Sequence, residues 1–343
     1  CSRDTLSLPY ALPVEGEAAA GAPAGILSPG TAMRIFTGAA LPRGADAVVM
    51  QEHVHRDGST IDSDRKVILG QHIRARGEDM SEGALALDCG RRLQASSLAL
   101  IGFLDYAEVE VMRSPRVSIL STGSELCPPG LALLSGGIAE SNSAAIAGFA
   151  QQAGATIVRT TIVEDDQQRI RSEIEAALQI SDVVVTVGGI SVGDYDYVRP
   201  ALESLGVVLE LCKVALKPGK PITLGRRGRS VVIGLPGNPA SAISTFALFG
   251  IPLLRSLQSD VQPVPLPSWL PVVTALHRDS ARTRVVLGNL KPYVGQTGFL
   301  AHSNQASGAT VALGLSDGFV VLEPGQEPID AGTTVPFYRW SDL

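Results

Sequence analysis

Between residues 115 and 259 the chain alternates two hydrophobic periods. Short apolar, β-branched runs (RVSILS from Arg116, ATIVRTTIV from Ala155 and DVVVTVG from Asp182) predict strands. The stretches 142 to 153, 166 to 180 and 195 to 204 predict helices. In the second of these, Ile170, Ile174 and Leu178 recur at i, i+4 and i+8 behind an Asp165/Asp166 cap, which places them on one face. VVVTV is apolar throughout, as a strand covered on both faces must be. The economical solution is a doubly wound α/β domain with a parallel, helix-covered sheet.

The flanking segments have no long helical period. Residues 1–75 carry short β-branched runs, ADAVVM (45–50) and KVILG (66–70), between turn signals such as RDGS, which predicts an N-terminal β-rich domain. From 76 to 114, SSLALIGFLDYAEVEV predicts an apolar helix running into a strand, a connector that stops at Arg113, Ser114 and Pro115. After 260 a proline-rich linker, VQPVPLPSWLP, leads to VVTALH, RVVLGNL, ATVALG, GFVVLEPG and TTVPFYRW, the strands of a small C-terminal β-barrel or sandwich domain spanning 260–343. The chain is read as α/β multidomain.

Composition narrows the function. With 343 residues, 45% hydrophobic, 18% charged and a net charge of −6, the chain can bury real cores and is a poor nucleic-acid binder. Its 36 glycines and 22 prolines against 5% aromatics suit backbone-lined loops. Four cysteines stand far apart with no CxxC pair, so no zinc knuckle or disulfide framework is implied and a reducing, cytoplasmic setting is expected. No run of 18 apolar residues occurs, and CSRDTLSLPY lacks the parts of a signal peptide, so neither membrane nor nucleic acid is an expected partner. The start also lacks Met, which points to a chain that begins inside a longer protein.

In an open α/β sheet ligands bind beyond the carboxyl ends of the strands, and four loops lie there. STGSEL (121–126) offers Ser121, Thr122 and Gly123 beside Glu125; alone, such a loop is more often a helix cap. TVGGISVGDYDY (186–197) runs a strand into Gly188, Gly189, Ser191 and Gly193, an anion nest, with Asp194 and Asp196 directly after it. Carboxylates beside such a nest repel a phosphate unless a divalent cation lies between them, and the spacing is neither GxGxxG nor a P-loop. CKVALKPGKPITLG (212–225) places Lys213, Lys217 and Lys220 around a Pro-Gly turn, either a solvated edge or a seat for an anion. GLPGNPASAISTF (234–246) turns at Pro236/Gly237 and opens a helix whose amides are a second anion site. His53 and His55 alternate in an expected strand without a third metal ligand.

STGSEL, GGISVGDYDY, KPGKP and GLPGNP, in this order, with RIFTGAALPRGADAVVMQE and RARGED upstream, closely resemble the MoeA / gephyrin E-domain family of molybdenum insertases across nearly the whole chain. The resemblance implies a MogA-like α/β domain and transfer of molybdate onto adenylylated molybdopterin with release of AMP, dependent on Mg²⁺. It implies that Glu125 and Asp196 face the metal and that Thr122, Gly123, Gly188, Gly189, Ser191 and Gly193 hold the nucleotide. Lys217, Lys220, Ser241, Arg282 and Ser307 match positions used around molybdate, where charged donors and hydroxyls suit a tetrahedral oxyanion. Thr37, Asp79, Lys213, Pro236, Pro239 and one of Asp165 and Asp166 match further active-site positions.

The resemblance also implies a homodimer for the full-length protein, a molybdopterin adenylyltransferase as partner, and a PGFDNSAMDGYA segment ahead of Cys1. Three departures stand out: Leu287 where a second arginine is usual, Ser124 for an Asp or Asn, and Glu140 for an Asp. Leu287 is expected to loosen oxyanion binding and Leu287→Arg to tighten it. A non-catalytic molybdopterin-binding scaffold and a tungsten-preferring homologue are the competing functions, and the set of Glu125, Asp196 and KPGK favours the enzyme.

Overall fold

Four short strands hold the first unit, Cys1–Ala86: β1 (Tyr10–Ala18), β2 (Ala32–Ile35), β3 (His55–Asp57) and β4 (Thr60–Ser63), in the order β2-β1-β4-β3. The computed structural model describes residues 1–131, 135–190 and 196–343. RDGS makes the β3–β4 turn, with Gly58 at φ +57, where a side chain would be strained. ADAVVM and KVILG are not strands. They are joined by Val48 N donating to Gln71 O (2.9 Å) and Gly70 N to Asp46 O (2.8 Å), too little pairing for a ladder. Ala47, Val49 and Val67 instead plug a small core around Tyr10 and Leu12. His53 ends a 3₁₀ turn (Gln51–His53), so it does not share a strand face with His55.

The second unit, Leu87–Leu343, begins inside the expected connector. Helix α1 (Ala95–Phe103) forms as expected, capped reciprocally by Gln94 and Ser97. The strand expected after it does not: Val109 and Val111 are exposed on irregular chain, with no strand among the described residues beside them.

The central sheet uses β5 (Arg116–Thr122), β8 (Thr156–Val163), β9 (Val183–Val187), β10 (Val208–Leu211), β12 (Thr223–Arg227) and β13 (Ser230–Leu235). Between them lie a two-residue pair, β6 (Leu126–Cys127) with β7 (Ile138–Ala139), and the short β11 (Leu216–Lys217). The order is β10-β12-β13-β9-β5-β8. The last four are parallel, whereas β12 runs antiparallel to both β10 and β13, so the sheet is mixed rather than wholly parallel. A two-residue turn, Gly228 (φ +58) and Arg229, joins β12 to β13 and dictates that hairpin.

Helix α2 (Asn142–Gln152) and the helix α5 (Pro239–Thr245), which continues through a π turn (Phe246–Gly250) into α6 (Ile251–Leu257), cover one face. Helices α3 (Gln167–Ile180) and α4 (Val198–Ser204) cover the other. Alternation along β9 sends Val183, Val185 and Val187 to the first core and Val184 to the second. The span Pro239–Leu257 is long and apolar enough to cross a membrane, but 67% of its most apolar window is buried, and it serves as a core helix.

The C-terminal strands are β14 (Ser268–Pro271), β15 (Thr283–Tyr293), β16 (Gln296–Ala301), β17 (Gly318–Leu322) and β18 (Thr334–Arg339), with helix α7 (Thr310–Leu315) before β17. β16, β15, β17, β18 and β14 pair in that order, and a bridge from Val272 to Phe299 closes the ring, the expected barrel. Val286, Phe299, Val320 and Phe337 fill it. Val285, Leu287 and Phe319 point the other way, into the α/β core. ATVALG is α7 and not a strand, because Ala309 and Ala312 form a small-residue face that packs near α5. VVTALH makes only isolated bridges at Val272 and Leu276, its strand having formed at Ser268–Pro271.

A glycine-lined cleft at the carboxyl edge

Parallel pairing brings the carboxyl ends of β5, β8, β9 and β13 to one edge, and a cleft of about 480 Å³ opens there. Of the residues singled out from the sequence, Thr122, Gly123, Glu125, Asp165, Gly188, Gly189, Asp196 and Pro239 line it. Ser191 and Gly193, with Asp194, lie outside the described residues. Gly188 (φ +86) and Gly189 (φ +61) need their left-handed backbone and also their missing side chain. A Cβ on Gly188 would sit 2.8 Å from Thr122 O, and one on Gly189 would sit 2.7 Å from Val198 Cγ2. Backbone therefore forms the cleft wall.

Asp196 Oδ1 is buried and has no hydrogen-bond partner. Burial pushes its carboxyl up to about 6, against a backbone hydrogen bond from Arg199 and the Arg199 charge. A buried, unpartnered carboxylate oxygen in the cleft that Glu125 also lines fits a divalent cation's preference for hard oxygen donors. Among the described residues no third His, Cys, Asp or Glu completes a protein-only metal cage, so any cation would take its remaining donors from substrate or water.

The structure separates the adjacent aspartates. Asp165 lines the cleft and accepts from Ser124 N (3.1 Å), while Ser124 Oγ accepts from Asp165 N (3.0 Å). Asp166 instead caps α3 by accepting from Arg169 N at 2.7 Å.

From the sequence, Glu140 stands out only as a departure from the family pattern, with no role given to its buried set. Glu140, 4% exposed, accepts from Ser121 Oγ (3.0 Å), Asn142 N (2.8 Å), Ser143 N (2.9 Å) and Ser143 Oγ, closing the start of α2. Asn142 Nδ2 donates to Gly237 O at 2.7 Å, and its Oδ1 is buried without a partner in the cleft lining. Acidic-Ser-Asn ahead of an apolar helix was the available signal, since a carboxylate there accepts first-turn amides.

The predicted oxyanion residues lie outside the cleft lining, in two sets: Lys217 with Arg282, and Ser241 with Ser307. β11 pairs in parallel with β15, setting Lys217 beside Arg284, with Arg282 one residue before the strand. Lys217 Nζ and Arg282 Nη2 both donate to Asp279 Oδ2, at 3.1 and 3.0 Å. Lys213 and Lys220 are exposed and stand outside this pairing, and Pro236 is buried at the end of β13. The first turn of α5 is not an open anion site: the amides of Ala240 and Ser241 donate to Ser307 O (3.0 and 3.3 Å). That contact, with Asn238 Nδ2 donating to Ser307 Oγ at 3.1 Å, seats Ser307 beside the buried Ser241. Thr37 and Asp79 are exposed residues of the first unit. Leu287 is 4% exposed within the α/β core, so an arginine there would be buried rather than offered to an anion.

This architecture matches a class first. Residues 118–256 match a family described as a probable molybdopterin binding domain, residues 3–104 the MoeA N-terminal region (domain I and II), and residues 270–340 the MoeA C-terminal region (domain IV). The chain is 34% identical over 338 residues to a molybdopterin molybdenumtransferase of Nostoc sp., covering 94% of this chain and 76% of the relative. It is also 34% identical over 318 residues to the Haemophilus influenzae protein of that name, covering 91% and 78%. A solved molybdopterin biosynthesis MoeA protein from Pyrococcus horikoshii superposes with a TM-score of 0.82 at 26% identity, covering 99% of this chain and 84% of that one. The chain belongs to the MoeA family of molybdopterin molybdenumtransferases, transferases of molybdenum cofactor biosynthesis.

Proposed function

We propose that the cleft binds adenylylated molybdopterin, that molybdate is held by Lys217 and Arg282 together with Ser241 and Ser307, Lys220 and Lys213 being nearby in sequence, and that molybdate transfer accompanies release of AMP. The observation that carries this reading is the partnerless Asp196 Oδ1 in a glycine-walled cleft that also presents Glu125. Gly188 and Gly189 let a phosphate approach the backbone closely, and Thr122 and Asp165 border the same space. Glu125 and Asp196 would hold a divalent cation, Mg²⁺ in this reading, which when bound neutralises phosphate charge and polarises the phosphoanhydride. Asn142 and Glu140 keep the first and last loops of the cleft in register with each other. Lys217 and Arg282 supply the positive charge that a tetrahedral dianion requires.

The same reading extends to a cytoplasmic homodimer fed by an adenylyltransferase. The exposed apolar side chains of α1, Leu98 at 60% and Phe103 at 66%, suit burial against a second copy.

The test is reconstitution: protein, adenylylated molybdopterin, molybdate and Mg²⁺, scored by AMP release and by activation of an apo molybdoenzyme. Asp196→Asn keeps the size of the side chain and removes the charge; AMP release should fall at least about tenfold at limiting Mg²⁺, the loss of roughly 1.4 kcal/mol of transition-state stabilisation. Equal AMP release by variant and parent across a Mg²⁺ titration would remove the carboxylate pair from the reaction.

A further inference from the structure

Asp279 has no part in the assignments above, yet it holds the two best-placed cations of the oxyanion group. Its Oδ2 accepts from Lys217 Nζ and Arg282 Nη2, and its Oδ1 accepts from the amides of Ala281 and Arg282, both at 3.1 Å. Its side chain is 12% exposed, against 50% for Lys217 and 37% for Arg282. The Ala281 amide first, then Lys217 and Arg282, hold its carboxyl well below the usual carboxylate range. The carboxylate is therefore charged at neutral pH.

The fold places the cations independently of Asp279. Lys217 ends β11, Arg282 precedes β15, and the pairs Leu216–Thr283 and Lys217–Arg284 set the spacing between them. One carboxylate oxygen occupies the point on which both cations converge, where an oxygen of a bridging tetrahedral anion would go.

The geometry points to Asp279 as a resident counter-anion that makes the oxyanion site discriminate by charge, an inference resting on the assignment of Lys217 and Arg282 to molybdate. In the free protein it neutralises part of the cation pair. When an anion arrives, Asp279 either shares the cations or gives them up, and it repels the newcomer in proportion to the newcomer's charge. A dianion is penalised twice as much as a monoanion at the same place. The penalty falls alike on molybdate and sulfate, so any bound dianion is held weakly enough to be handed on.

The experiment is calorimetry with three tetrahedral anions, molybdate, sulfate and the monovalent perrhenate, on the parent chain and on Asp279→Asn, Asp279→Glu and Arg282→Ala. Asparagine keeps an acceptor for the Ala281 and Arg282 amides while losing the charge. It should tighten molybdate and sulfate at least tenfold and perrhenate only about threefold, and glutamate should restore the parent affinities. Weaker or unchanged binding of all three anions to Asp279→Asn, or equal tightening of all three, overturns the inference. Should Asp279→Asn not fold by thermal scanning, Asp279→Ser, whose hydroxyl can serve the same turn, carries the comparison. Arg282→Ala separates the two ideas. If it leaves molybdate binding intact, the molybdate assignment itself is wrong; if it weakens binding while Asp279→Asn fails to tighten it, only the counter-anion is wrong.

Discussion

Gly189 shows how much one missing methyl group carries. Alanine there would adopt φ +61 and bring its Cβ 2.7 Å from Val198 Cγ2 and 2.9 Å from Thr122 Oγ1. Positive φ costs about 1–2 kcal/mol for an L residue and overpacking adds about 1–3 kcal/mol, so Gly189→Ala should lose about 2–5 kcal/mol in chemical denaturation and weaken nucleotide binding. Gly206→Ala, also at positive φ (+76) but with open space around its Cβ, should lose only the first part. Leu287→Arg, read from the sequence as a gain for the oxyanion, is expected to do the reverse. Burying a cation in the core should destabilise the chain by more than about 3 kcal/mol, measured by the same denaturation, without tightening molybdate in calorimetry. The cleft residues were legible because strand, glycine and carboxylate stand together in sequence. Asp279 was not, since HRDS reads as an ordinary turn and its partner Lys217 lies 62 residues earlier.

At the amino edge of the sheet, Asp182 staples three strands. Its carboxylate accepts from Arg116 N (2.7 Å) and from Arg113 Nη1 and Nη2 (2.7 and 2.8 Å), and its own backbone bonds Arg116 and Val231. The Arg113 hydrogen bond, foremost, lowers the Asp182 carboxyl below its usual value. The sign follows from that direction: the stabilisation is fully present above the unfolded value of about 3.9 and is lost as pH falls through the lower native one. Asp182→Asn should therefore cost about 1 kcal/mol at neutral pH, since Arg113 is largely exposed, and the gap between variant and parent should close in acid-denaturation curves. Strands buried on both faces, such as VVVTV, were readable because burial dictates their composition. ATVALG and ADAVVM misled for the same physical reason. Each is apolar enough for a strand, but neither meets a free sheet edge, and tertiary packing decided its shape.

Over the molecule as a whole, the two units are very unequal in core. Tyr10, Leu12 and Val67 are the buried apolar side chains of the first unit's cluster, while the second unit holds two extensive clusters around its sheet and a third in the barrel. Scanning calorimetry should show two transitions, the smaller and earlier one belonging to Cys1–Ala86, and a single cooperative peak would contradict that division. The alternating α/β core was visible in outline from hydrophobic period, and the C-terminal domain as short strands that left barrel or sandwich open. The antiparallel edge was not, because one two-residue turn at Gly228 sets it.

The pairing of β11 with β15 spans only Leu216–Lys217 against Thr283–Arg284. Strand side chains alternate in direction, so a slip of one residue would turn Lys217 away and present a neighbour of the wrong chemistry. Barrel loops such as the one after Tyr293 can grow or shrink during evolution with little consequence. The stretch from Cys212 to Ile222 and the turn before Thr283 should tolerate no change of length at all, so insertions and deletions among functional descendants of this chain will be absent there even where the residues themselves drift.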